Sequence, residues 1–361
     1  MNRIFNFNAG PSTLPLAVLE KAQQEFVDYQ GKGMSILEMS HRSPEYSHVH
    51  QQAVSLVKEL LELPDNYSVL FLGGGATMQF SMVPLNLLSQ EKSCDFTLTG
   101  TWAKKALADA KKVGSVNLVY DGSADNFSSL PDPSDLKLDP QAAYLHLTSN
   151  ETIGGLQWQS WPDAGQVPLV CDMSSDIMSR HLPPGKFGLI YAGAQKNLGP
   201  AGVGLVIIRD DVLDRCFTDL TAYLSYRIHA EKNSLYNTPP VFAIYLTKLV
   251  LENLKQSGGV KAAAKLCQQR SELLYGTVEQ SAGFYSCPVP TLCRSKMNVV
   301  FRLPSQDLEK TFIAQAAEQG LGGLKGHRSV GGCRASIYNA MPIEGVEALV
   351  GFMQVFASRH G

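Results

Sequence analysis

Residues 191–204 read Tyr-Ala-Gly-Ala-Gln-Lys-Asn-Leu-Gly-Pro-Ala-Gly-Val-Gly and hold one charged side chain, Lys196. Apolar runs flank it: Phe187-Gly-Leu-Ile-Tyr-Ala before and Val203-Gly-Leu-Val-Ile-Ile after. Both runs are short, partly β-branched and bounded by Gly or Pro, which is the pattern of buried strands. A lysine on a Gly-rich turn between two such strands is poorly solvated. Desolvation disfavours its ammonium and lowers its pKa from the ordinary value of about 10.4. A lysine that can lose its proton is a nucleophile towards carbonyls, and an aldehyde cofactor is the usual target. Two plainer readings stay open at this point: a point charge for phosphate, and a solvated turn. The phosphate-loop motif itself is absent, because Asn197 follows Lys196 where that motif needs Ser or Thr.

The chain of 361 residues is too long for one ordinary core and suits two domains. Its formal charge of −2 gives no basic footprint for nucleic acid, so any anion site must gather its cations locally. Seven cysteines are scattered with no Cys-x-x-Cys pair. That argues against a disulfide framework or a metal site and predicts a reducing, cytoplasmic location. The N-terminus lacks an apolar core of signal-peptide length, and no apolar run reaches the roughly 18 residues needed to span a bilayer.

The remaining chemistry-bearing residues sit at junctions. A helix is predicted over 15–29, capped by Ser12 or Thr13, and another over 45–63. His41 and Arg42 lie adjacent on the loop between them, either as a solvated basic pair or as an anion clamp. The strand 67–72 runs into Gly73-Gly-Gly-Ala-Thr77 and a helix over 80–88, an arrangement that presents backbone N–H groups to a phosphate. Trp102 follows the strand 95–99 at a strand-to-helix corner, either as a core aromatic or as a flat face for a ring. The strand 142–147 leads to Asn150-Glu-Thr152. Asp172 closes the strand 167–171, either as a helix cap or opposite a ring nitrogen that it would keep protonated. Alternating strands and helices from about 16 to 210 imply a mostly parallel sheet. A polar helix is predicted over 210–219, and an amphipathic one from 241 to about 255. Gly258 and Gly259 mark the domain boundary. Beyond it lie a helix over 260–281, a strand over 297–302 and a helix over 305–319. Then comes a glycine-rich segment with His327, Arg328 and Arg334. Arg334 opens an apolar strand, and a half-buried Arg needs an anion partner.

Taken together, several motifs span nearly the whole chain in order. They are Asn8-Ala-Gly-Pro11, Ser40-His-Arg42, the Gly-Gly-Ala-Thr77 turn, Gly100-Thr-Trp102, Asn150-Glu-Thr152, Cys171-Asp172, Tyr191 to Asn197, Tyr236-Asn-Thr-Pro-Pro240 and Gly326 to Arg334. In these the chain resembles the phosphoserine aminotransferases, in the class-V branch of the fold-type I enzymes that use pyridoxal 5′-phosphate (PLP).

The resemblance implies an α/β fold. A large PLP-binding domain (16–257) would have a mostly parallel seven-stranded sheet flanked by helices, and a smaller α+β domain would comprise 1–15 and 258–361. It implies that Lys196 bonds the cofactor and later shuttles the α-proton, that Asp172 pairs with the pyridinium nitrogen, and that Trp102 stacks on the ring. Thr152 would bond the phenolic oxygen; Ala76, Thr77 and Gln195 would hold the phosphate. Asn237 and Thr238 would reach that phosphate from the partner subunit of a homodimer with shared sites. Arg334 would take the substrate carboxylate, and His41, Arg42, His327 and Arg328 would surround a distal phosphate or γ-carboxylate. The implied reaction is transamination between glutamate and 3-phosphohydroxypyruvate, extending to the four-carbon ketoacid of pyridoxine synthesis. No metal is implied. Some members carry Arg where Thr77 stands and Ser where Ala9 stands, so the distal-anion pocket here has one cation fewer. A class-V cysteine desulfurase would instead need a mobile nucleophilic Cys, for which Cys333 is the only candidate near the basic cluster.

Overall fold

A computed structural model describes residues 3–183 and 185–361. Strand β1 (Phe5–Asn6) precedes helices α1 (Leu16–Gln24) and α2 (Pro44–Leu60). An alternation follows: β2 (Tyr67–Gly73), α3 (Gly75–Leu87), β3 (Ser93–Leu98), α4 (Thr101–Val113), β4 (Ser115–Asp121) and β5 (Leu145–Thr148). A small hairpin, β6 (Asn150–Glu151) and β7 (Leu156–Gln157), leads to β8 (Leu169–Asp172), β9 (Leu189–Gly193) and β10 (Val203–Arg209). Helices α5 (Asp210–Leu213), α6 (Tyr226–Glu231), α7 (Val241–Gln256) and α8 (Gly259–Glu279) come next. The chain ends with β11 (Asn298–Phe301), α9 (Gln306–Glu318), β12 (Leu321–Gly322), β13 (Cys333–Ser336) and α10 (Ile343–His360).

Seven strands form the main sheet in the order β2-β10-β9-β8-β5-β3-β4. β10 is antiparallel to both neighbours and the other pairings are parallel. Alternate residues of each central strand enter different cores. Val69, Phe71, Leu205 and Ile207 pack on one face, and Leu70, Leu72, Val206 and Ile208 on the other. Both faces are therefore buried, which is why these strands read as continuous apolar runs. The parallel strands end together, so the turns after β2, β3, β5, β8 and β9 share one edge, where ligands gather in α/β sheets. A third core holds Phe7 with Phe301, Phe312, Phe352 and Phe356 from the C-terminal elements. There Phe5 and Asn6 pair in parallel with Leu321 and Gly322.

Three local expectations are corrected. Helix α1 ends at Gln24, because Glu25 turns in to accept from the buried Tyr245 hydroxyl at 2.6 Å, leaving Phe26 and Val27 exposed. Neither Ser12 nor Thr13 caps that helix. Pro15 is its N-cap, and the Ser12 hydroxyl is committed to the Lys196 carbonyl instead. Helix α5 stops at Leu213 rather than near 219; the Phe217 N–H goes to the Asn86 carbonyl at 3.1 Å. Helix α10 is an element that no motif pointed to. No helix among the described residues is long and apolar enough to cross a membrane.

Candidate active site

Lys196 lies beyond β9 and is 9% exposed. Its Nζ donates to Thr152 Oγ1 at 2.7 Å and sits 4.7 Å from the Trp102 ring centroid. Burial pushes its pKa below the ordinary lysine value; Asp172 and Glu151 oppose that, and Arg334 adds to it. The backbone of its loop is held from outside. Ser12 donates its N–H to Gln195 O at 3.0 Å and its hydroxyl to Lys196 O. Gly10, with φ +147°, lies so close that a Cβ there would be 3.2 Å from Lys196 Cγ.

Asp172 ends β8, opposite Tyr191 of β9. Its Oδ1 accepts from the Ser174 N–H at 2.9 Å and the Ser174 hydroxyl at 2.5 Å. Ser174 in turn accepts from the Gly193 N–H at 3.0 Å, which ties the acid to the strand that carries the lysine loop. Burial raises the Asp172 pKa and Lys196 opposes the rise. The lysine and the acid are thus each pushed towards neutrality by one dry pocket.

The N-terminus of α3 meets the same pocket. Its N-cap is Gly74 (φ +87°) and no side chain caps it, so its first N–H groups are free for an anion. A Cβ on Gly193 would lie 2.8 Å from Gln195 Oε1 and 3.3 Å from Ala76 N, which places the Gln195 amide beside that helix start. Gln195 Oε1, Trp102 Nε1 and Arg334 Nε are all buried without a partner. Buried polar atoms are ordinarily paired, so these three mark space for a polar ligand.

Arg334 lies within β13 and is 9% exposed, more buried than the half-buried position its sequence predicts. Among the described residues the one hydrogen bond of its side chain is a long one, Nη1 to Thr152 O at 3.5 Å. Among the described residues no carboxylate lies in ion-pair range of it. His327 and Arg328 lie on the preceding loop. Burial, Arg334, Arg328 and Lys105 together depress the His327 pKa, so three basic side chains surround an imidazole held towards its neutral form at this mouth. Arg302 shapes the loop, donating to Val330 O at 2.8 Å and to Glu309 at 2.7 Å. The other Glu309 oxygen takes the Gly332 N–H at 3.2 Å. A cavity of about 340 Å³ opens beside it, lined by Ile153, Val300, Arg302, Ser329 and Arg334 among others. Cys333 is 1% exposed and burial pushes its thiol up to about 12, so it is not the mobile thiolate of a desulfurase.

His41 and Thr238 form a second group, with Nδ1 and Oγ1 3.2 Å apart. Arg42 and Asn237 beside them are exposed. Among the described residues no hydrogen bond or ion pair joins this group to Lys196. Glu151, Ser12, Lys105 and the Arg302–Glu309 pair were not singled out as site residues by sequence. The partners of Glu151 and Ser12 are distant in the chain, and only the Asn-Glu-Thr run carried any signal for one of the four.

The chain matches the class-V aminotransferase family over residues 4–349. It is 52% identical to the phosphoserine aminotransferase of Laribacter hongkongensis over 358 residues, 99% of each chain. The chain belongs to the class-V aminotransferases. Its fold superposes on the phosphoserine aminotransferase of Bacillus circulans subsp. alkalophilus with a TM-score of 0.98 at 50% identity, covering 99% of each chain. A PLP-bound phosphoserine aminotransferase from Trichomonas vaginalis superposes with a TM-score of 0.92 at 37% identity, covering 98% of this chain and all of that one. The family frame fits the pocket of this aminotransferase: a desolvated lysine, an acid at the end of the neighbouring strand, an aromatic face and an uncapped helix start.

Proposed function

We propose that this aminotransferase exchanges the amino group of L-glutamate with 3-phosphohydroxypyruvate, giving 2-oxoglutarate and O-phospho-L-serine, and that it runs the reverse reaction. The observation that carries this is Arg334: a buried guanidinium without a carboxylate, one residue's contact from Lys196, at a mouth that also holds Arg328, Lys105 and the His327 imidazole. An amino acid's carboxylate fits Arg334 as a bidentate partner. His327 and Arg328, joined by His41 and Arg42, take the distal anion, and a basic cluster accepts phosphate and carboxylate alike. PLP, when bound, supplies an electron sink that makes the substrate Cα–H acidic and stores the amino group between the two half-reactions.

The chain's own residues do the rest. Lys196 Nζ would hold the cofactor through its aldehyde, and as a desolvated amine it would take and return the substrate α-proton. Asp172 would hold a proton on the ring nitrogen. Trp102 would cover the ring, and Thr152 would bond its phenolic oxygen. The N–H groups of Ala76 and Thr77, with Gln195, would bind the phosphate at the start of α3. Asn237 and Thr238, next to His41 and Arg42, are offered to the partner subunit of a homodimer. Residues 1–15 and 258–361 act as the smaller domain that carries Arg334. The four-carbon phosphorylated ketoacid of pyridoxine synthesis is a second substrate, and the enzyme works in the cytoplasm.

The test is the visible spectrum of the purified protein. Phosphoserine is expected to bleach the yellow cofactor band and 2-oxoglutarate to restore it. A band that ignores phosphoserine but bleaches with alanine overturns the substrate. Undetectable turnover of the four-carbon ketoacid, under conditions that turn over phosphohydroxypyruvate, removes the second substrate.

A further inference from the structure

Helix α4 starts at the site without a cap of its own. Its N-cap is Gly100, and no acidic residue stands in its first turn. The N–H groups of Trp102 and Ala103 go instead to Glu151 of β6, at 3.1 and 2.9 Å. That side chain is 1% exposed, so these bonds are made away from solvent. Burial pushes the Glu151 carboxyl up to about 7, while these two N–H groups and Lys196 favour its ionised form; ionised, it makes the stronger hydrogen bonds and meets the positive end of the helix dipole.

Gly100 is fitted to this contact. A Cβ there would lie 2.5 Å from Glu151 Cδ and 2.7 Å from its Oε2. Gly100 has φ 168°, extended backbone that any residue adopts, so the carboxylate and not the backbone excludes a side chain. Glu151 also precedes Thr152, whose hydroxyl holds Lys196 Nζ, while the Trp102 indole lies 4.7 Å from the same Nζ. One side chain thus joins the helix carrying the indole to the strand carrying the lysine's partner.

We propose that Glu151 is a positioning residue of the cofactor site: its carboxylate clamps the first turn of α4 and so fixes the Trp102 indole against Lys196. The proposal rests on the reading of this pocket as the PLP site. Glu151→Gln removes the charge and turns a donor towards an N–H. Gly100→Ala keeps the charge and pushes the carboxylate off the helix. The two variants reach the same defect by different routes.

The experiment is a titration of cofactor-free protein with PLP, followed by absorbance, in a double-mutant cycle with Trp102→Ala. Glu151→Gln, Gly100→Ala and Trp102→Ala are each expected to weaken PLP binding by about tenfold, the scale of one aromatic contact. Glu151→Gln added to Trp102→Ala is expected to cost nothing more, because the clamp acts through the indole. Wild-type affinity in Glu151→Gln, or losses that multiply to about a hundredfold in the double variant, would overturn the clamp. So would loss of the folded state in both Glu151→Gln and Gly100→Ala, which would make the contact a stability element for the helix. Failure of the wild-type protein to bind PLP would instead remove the reading of the pocket itself.

Discussion

At the carboxyl ends of β3, β5, β8 and β9 the ionisable groups find protein partners, while Gln195 Oε1 and Trp102 Nε1 stay open for a ligand. Lys196 bonds Thr152, Asp172 bonds Ser174, and Glu151 bonds the start of α4. Along the mouth, the cations do not. Arg334 Nε and His41 Nε2 are buried without partners, and Arg328 and Arg42 face solvent. The inner region is built in advance, as reaction chemistry requires, because groups that must stabilise developing charge cannot afford to reorganise. The outer region is left with unmet charge, which an anionic ligand can complete.

The contrast breaks most sharply at Lys196. Lys196→Ala is expected to lower the turnover number by about 10⁴-fold or more, since it removes both the nucleophile and the proton carrier. Single-turnover kinetics with phosphoserine check this; a loss below about tenfold would put the chemistry elsewhere.

Arg334→Lys comes next. It keeps a charge but loses the planar fork, so kcat/KM for glutamate and for phosphoserine should fall together by about 10²–10³-fold. A loss confined to one substrate would place Arg334 at the distal anion rather than the shared carboxylate.

Behind the inner region, His146 donates or accepts with Tyr191 at 2.8 Å and burial pulls its pKa down to about 3; His50 is pulled down to about 4. The unfolded chain binds these protons more readily, so stability is present above the ordinary pKa of about 6.5 and is lost as pH falls below it. Between pH 7 and 4.5 wild-type protein should lose roughly 2–3 kcal/mol more than His146→Gln. Urea unfolding at the two pH values measures it, and equal losses would show that His146 is not held neutral.

The smallest effect separates the subunits. Arg42→Ala should raise KM for the phosphorylated substrate about tenfold, as loss of one rim charge does, and leave the alanine half-reaction unmoved. Mixed with inactive Lys196→Ala protein, refolded and assayed well below KM, it should recover about a quarter of wild-type activity, because half the dimers hold one intact shared site. No recovery would place Arg42 and Lys196 of the same chain in the same site.

The sequence by itself determined the frame of the site. The Lys196 turn was legible as a candidate because an isolated cation between two apolar, β-branched runs is poorly solvated; the stretch alone left a phosphate contact and a solvated turn open, and the other motifs decided between them. Asp172 and Trp102 were legible as polar or flat residues at strand ends, and Arg334 as a cation entering an apolar strand. Local pattern is enough there, since burial on both sheet faces writes itself into consecutive residues. The tertiary structure alone decided what holds these groups in place. Ser12 looked like a helix cap and instead supports a lysine far along the chain. Glu151 reads as one letter in a polar run, yet it clamps α4 from another element. Arg302 and Glu309 buckle the His327 loop from a strand and a helix outside it. His41 chose Thr238 across the fold. Such contacts depend on which turns the sheet brings to one edge, and no spacing along the chain records that.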